Sequence, residues 1–212
     1  MSNNKPSHAL DYLTLRKTLG LLGFFLPLIL PLGLYLVSQF KEPGQAAFQP
    51  SISHYHLTYM RDVFVFILTS FGLFLITFGG DKGARDNVLS NIAGCCALLV
   101  AFFPTSAGDC DNWVCTLHFV SATAFFLILS YVSYFEFTKP NDRSTKENKE
   151  KRNKIYRISA IVMVSSIAIL AIHMLIVEVS FFPYNITYIM ETIALMAFGV
   201  SWWTKGRFLI GE

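Results

Sequence analysis

Residues 117–137 read LHFVSATAFFLILSYVSYFEF, with Glu136 as the one full charge in the stretch. Wound as a helix at 1.5 Å per residue, a stretch of this length is about 30 Å long, the thickness of a bilayer's hydrocarbon. The apolar residues run continuously rather than alternating with period two, so the pattern is not that of an outer-membrane barrel strand. In lipid every backbone N–H and C=O must be paired within the segment, which a helix achieves alone. Five further stretches have the same character, at 19–39, 63–79, 88–103, 155–177 and 184–204. The span at 88–103 is the most polar, with Ser90 and Asn91 in its first turn.

Composition agrees. The chain has 212 residues, 53% hydrophobic and 15% charged, with mean hydropathy +0.48, against about 25% charged residues in ordinary soluble domains. A net charge of +3 and four cysteines exclude a disordered chain, a nucleic-acid-binding domain and a disulfide-dense scaffold. The expected fold class is therefore all-α, a polytopic membrane protein of six transmembrane helices. Residues 1–18 are expected to form a cytoplasmic amphipathic lead-in without a signal peptide, 19–204 the transmembrane domain and 205–212 a cytoplasmic tail. Pro27 and Pro31 fall inside the first span. They should bend it, with neighbouring groups taking up the carbonyls their missing N–H groups leave free.

Short cytoplasmic loops are enriched in Lys and Arg. Along the chain, alternate loops hold fifteen basic residues against two, with eight of the fifteen between Lys139 and Arg157. Both termini are therefore expected in the cytoplasm. Cys110 and Cys115 then fall in an outside loop, where a disulfide and a free pair both remain open; Cys95 and Cys96 are expected to pack as small apolar groups. The redox-active Cys-x-x-Cys of a thiol oxidase is absent.

Ionisable groups within a membrane are costly and tend to mark function. Glu42, His54, His56, Arg61 and Asp62 precede the second span, Asp109 and Asp111 precede the fourth, and His118 opens it with Ser121 one turn deeper. His173 and Glu178 lie at the outer end of the fifth span, and Glu191 about two turns into the sixth, on a stripe with Tyr184, Tyr188, Leu195, Phe198 and Trp202. The expectation is a polar chamber open to the outside, walled by spans two, four, five and six. Neutral imidazoles with a carboxylate suit zinc, whose open position would hold an activated water. The expected ligands are His54 or His56, with His118 and His173, and Asp62 or Glu191 as general base. Ser121 and Ser53 are alternative nucleophiles, neither in a recognisable elbow. No His-Glu-x-x-His or similar local ligand pair occurs, so each ligand must come from a different element.

Pro50-Ser-Ile-Ser53, His118-Phe-Val-Ser-Ala-Thr-Ala-Phe-Phe126, and Glu191 with the run ending Ser201-Trp-Trp-Thr-Lys205 stand in an order that resembles the six-span superfamily containing the DRAM, Frag and Sfk proteins and the GPI-anchor lipid-remodelling proteins. The loop from Ser51 to Asp62 also resembles that of uncharacterised bacterial multi-pass proteins. His54-Tyr-His56 stands where the superfamily pattern has Asp-Thr-Gly. The resemblance implies a lipid-related or regulatory role in a cell membrane, with membrane lipids as partners. Three readings follow: a lipid-handling protein whose outward His/carboxylate cavity works as a zinc-dependent lipid hydrolase, a non-catalytic lipid-binding or scaffold protein, and an ion- or proton-conducting bundle. Conduction requires polar residues through to the inner face, whereas Leu98–Ala101, Leu127–Leu129 and Ile167–Ala171 are apolar.

Overall fold

A computed structural model describes residues 12–44, 46–77, 84–105, 110, 112–139, 146–176 and 186–206. Six α-helices occupy them: α1 (Tyr12–Lys41), α2 (Arg61–Thr77), α3 (Ala84–Phe102), α4 (Trp113–Tyr131), α5 (Lys146–Ile176) and α6 (Ile186–Lys205). A short 3₁₀ turn covers Ser53–Leu57, and a π turn, Val132–Glu136, prolongs α4. There is no strand among the described residues. Four helical segments are long and apolar enough to cross a membrane, namely Thr14–Lys41, Trp113–Glu136, Lys146–Met174 and Ile186–Lys205. The apolar part of α3, Asn87–Phe102, is shorter, and α2 runs 17 residues.

The helices form a ring in which α1 packs on α6, α6 on α5, α5 on α4, α4 on α3 and α3 on α2. A sparser contact between α2 and α1 closes it. Two of these seams bring backbone against backbone, the arrangement small residues permit where water does not drive helices together. A Cβ on Gly199 would lie 2.7 Å from the Gly20 carbonyl across the α1–α6 seam, and one on Gly94 would lie 2.7 Å from the Gly72 carbonyl across α2–α3. Large apolar side chains face outward all round the bundle, among them Leu32, Phe66, Val120 and Ile161.

Several helices differ from the expected spans at their ends. Residues 12–18 are the first turns of α1, continuous with the span that follows. Helix α5 begins nine residues before the expected 155 and is 31 residues long, about 46 Å. Its added turns carry the basic run Lys146–Lys154, whose charges need not enter hydrocarbon. At this end Ser133 donates to the Tyr156 carbonyl at 3.1 Å, and Ser201 lies 2.5 Å from the Ser133 Oγ. Ser133 has spent its single hydrogen on the carbonyl, so Ser201 is the donor between them. The three bonded residues join α4, α5 and α6.

Pro31 has no N–H, so the carbonyl of Pro27 one turn earlier lacks its helical partner. Tyr188 of α6 donates its hydroxyl to that oxygen. This is the compensation expected of a membrane proline, and it ties α1 at Pro27 to α6.

Candidate functional site

Between α1 and α2 the chain is exposed at Glu42–Gly44 and Phe48, but much of it from Ser51 to Met60 is buried. Ile52, Tyr55, His56 and Met60 are buried, Tyr55 completely, and they enter the mouth of the ring at the end where α1 and α3 finish and α4 and α6 begin. Tyr55 donates its hydroxyl to the Ala47 carbonyl at 2.7 Å, folding the segment on itself. Gly33 of α1 leaves the space that the Met60 side chain occupies.

Helix α3 stops at Phe102, and the last carbonyls of a helix have no partner within it. Two histidines take up carbonyls at this end. His56 Nε2 donates to the Ala101 carbonyl at 3.1 Å, and His118 Nδ1 donates to the Phe103 carbonyl at 2.7 Å. The second bond fixes more than position. A carbonyl can only accept, so Nδ1 of His118 carries the hydrogen, and in the neutral ring Nε2 is left as the acceptor. Ser53 Oγ lies 2.9 Å from that Nε2. Its hydroxyl therefore points its proton at the imidazole. His118 is wholly buried and Ser53 nearly so.

Glu191 reaches the same turn from α6. Its Oε2 accepts the Ile52 N–H at 2.5 Å. Ser53 and Glu191 are the polar boundary of a cavity whose remaining walls are apolar, formed by Leu26, Phe64 and Leu68, Ala97 and Val100, Ala122, Phe125, Phe126 and Leu195 with Ile52. Its empty volume is about 460 Å³ counting the open side. The cavity is thus a small apolar chamber with one polar wall. Helices α1, α2, α3, α4 and α6 line it and α5 does not, whereas the sequence suggested spans two, four, five and six around a wetter space.

The other expected site residues are placed differently. His54 stays at the edge of the turn, its Nδ1 2.6 Å from Ser51 Oγ, which also accepts the His54 N–H. Burial holds the imidazoles of both His54 and His56 below the ordinary histidine value. His56 is buried. Asp62 is exposed in the first turn of α2. Ser121 is buried on α4, outside the hydrogen bonds of His118. His173 lies half-buried in the last turn of α5, a helix that does not line the cavity. Asp109, Asp111, Glu178 and Tyr184 fall outside the described residues. Among the described residues, no group of three or more His, Cys, Asp or Glu side chains could hold a metal ion. The expected zinc set of His54, His118 and His173 is thus not gathered, and both nitrogens of His118 are already engaged.

At the same end Cys110 and Cys115 form a disulfide, and Asn112 caps α4 by accepting the Cys115 N–H at 2.9 Å. Cys96 is buried and Cys95 exposed, both as free thiols.

A helical bundle with apolar outward faces and an internal apolar chamber has the construction of an integral membrane protein. No protein-family model, curated protein or solved structure matches the chain.

Proposed function

We propose that this chain crosses a cell membrane six times with both termini in the cytoplasm, and that it is a lipid-handling protein of the kind found in the six-span superfamily its motifs resemble. The cavity receives the tip of a membrane lipid's acyl chain, and the turn at 51–57 meets the polar part of that lipid. One observation carries this reading: a chamber with apolar walls from five helices ends at two polar side chains, Ser53 and Glu191. Such a chamber has little to offer a hydrated ion, which speaks for lipid binding over conduction. The disulfide supports the orientation, because such bonds persist in oxidising compartments, and it lies at the cavity end, opposite the basic turns of α5.

The test is lipid occupancy. Purified protein in mild detergent should carry lipid detectable by native mass spectrometry and chloroform extraction. Ala122→Phe, which fills the cavity from α4, should lose that lipid while keeping its thermal transition. Equal lipid on the folded variant and the parent contradicts the reading.

A further inference from the structure

We propose that Ser53 is a nucleophile and His118 its general base, so that the cavity cleaves long-chain acyl esters. This inference rests on the lipid-binding reading, since the acyl chain must first enter the chamber.

The geometry supplies a nucleophile, a base and a group that orients the base. A hydroxyl and a base stand within hydrogen-bond reach, at 2.9 Å. The base is oriented by a third group, the Phe103 carbonyl at 2.7 Å from its other nitrogen, which sets the tautomer that can accept the serine proton. The pair spans two elements 65 positions apart in the chain, so the bond follows from the docking of the turn and not from local sequence. Ser53 also opens directly on the cavity. An acyl chain lying among Phe125, Phe126, Leu68 and Leu195 would bring its ester carbonyl to the polar end.

Ser53 Oγ attacks the ester carbonyl carbon as its proton passes to His118 Nε2. The tetrahedral adduct collapses with cleavage of the bond to the alcohol oxygen, and that oxygen leaves with the proton from Nε2. The acyl group is now on Ser53. Water then attacks the acyl carbon, giving its proton to Nε2. Ser53 Oγ departs, recovers that proton, and a fatty acid is released. The Phe103 carbonyl steadies the imidazole whenever both its nitrogens carry hydrogen.

The experiment uses the full chain in phosphatidylcholine nanodiscs with a long-alkyl fluorophosphonate, read by intact mass and peptide mapping. The expected result is one phosphonyl adduct per chain, on Ser53. Ser53→Ala should carry none while remaining folded, its thermal transition lowered by the loss of the bond to His118. His118→Gln should label about 10²–10⁴-fold more slowly, the usual contribution of a positioned base, and the parent's labelling rate should fall in acid as the imidazole takes up a proton. Discs of phosphatidylcholine alone and discs doped with diacylglycerol identify the ester consumed, through fatty acid released by the parent and not by Ser53→Ala. Folded, lipid-loaded parent that takes no adduct, or takes it elsewhere, overturns the catalytic inference and leaves lipid binding standing. Parent that is folded but free of lipid overturns the lipid-binding reading as well.

Discussion

Glu191→Leu removes the acceptor of the Ile52 N–H while keeping a side chain of similar length. Ile52 is 3% exposed, and its amide faces Glu191 across 2.5 Å. With leucine there, the N–H is left against apolar walls. An unsatisfied buried donor costs about 1–3 kcal/mol, and part of that is offset because leucine suits the chamber better than a carboxylate. We expect a net loss of about 1–2 kcal/mol, or roughly 2–8 °C in Tm at 2–4 °C per kcal/mol for a chain of this size. Glu191→Gln keeps an acceptor oxygen and should lose less than half as much. The assay is thermal unfolding in nanodiscs followed by tryptophan fluorescence, with hydrogen exchange at the Ile52 amide measured on the same samples. The leucine variant should exchange that amide faster while helix-interior amides stay unchanged. A leucine variant that unfolds with the parent and protects Ile52 equally would refute the idea that Glu191 anchors the turn. Equal damage from glutamine and leucine would show that charge, not the acceptor, is what matters.

Other expected outcomes test the frame around the site. Tyr188→Phe strips the Pro27 carbonyl of its donor and should cost about 1 kcal/mol, read as a lower Tm without loss of the helical circular dichroism signal. Gly199→Leu drives a side chain into the Gly20 backbone and should abolish a stable fold, whereas Gly44→Ala, where no neighbour lies within 4 Å but φ is +100°, should lower Tm only modestly. Acid should weaken the fold through His54 and His56, because their folded values lie below the ordinary 6.5. The unfolded chain then binds protons that the folded one refuses, so stability is full above pH 7 and declines as pH falls below about 6.5. His56→Gln should flatten that decline in a pH series of unfolding midpoints.

The helices were legible from hydropathy because a span's length and apolarity are local properties. Their ends were less so: the basic run before residue 155 is helical through backbone bonding that hydropathy does not measure. Of the groups singled out as expensive inside a bundle, His118 is buried and Glu191 borders the cavity, and the stripe through Leu195, Phe198 and Trp202 faces the core. The partner of His118 was harder to foresee. Ser53 lies in a connection between spans, and its burial depends on that connection folding into the ring. The signal was present in Ile52 and Tyr55, apolar residues alternating with Ser51, Ser53, His54 and His56 in a segment too apolar for an exposed loop. The Phe103 and Ala101 carbonyls could not be read from residue types at all, since they become acceptors only because α3 stops where it does.

Nitrogen NMR of ¹⁵N-histidine-labelled protein in nanodiscs tests most directly whether the turn docks Ser53 onto His118. The His118 ring, assigned by its loss in His118→Gln, should show a protonated Nδ1 and a bare Nε2 at neutral pH, with the Nε2 resonance moving in Ser53→Ala. A ring protonated on Nε2 instead, or one indifferent to residue 53, would contradict the docking on which the site is built.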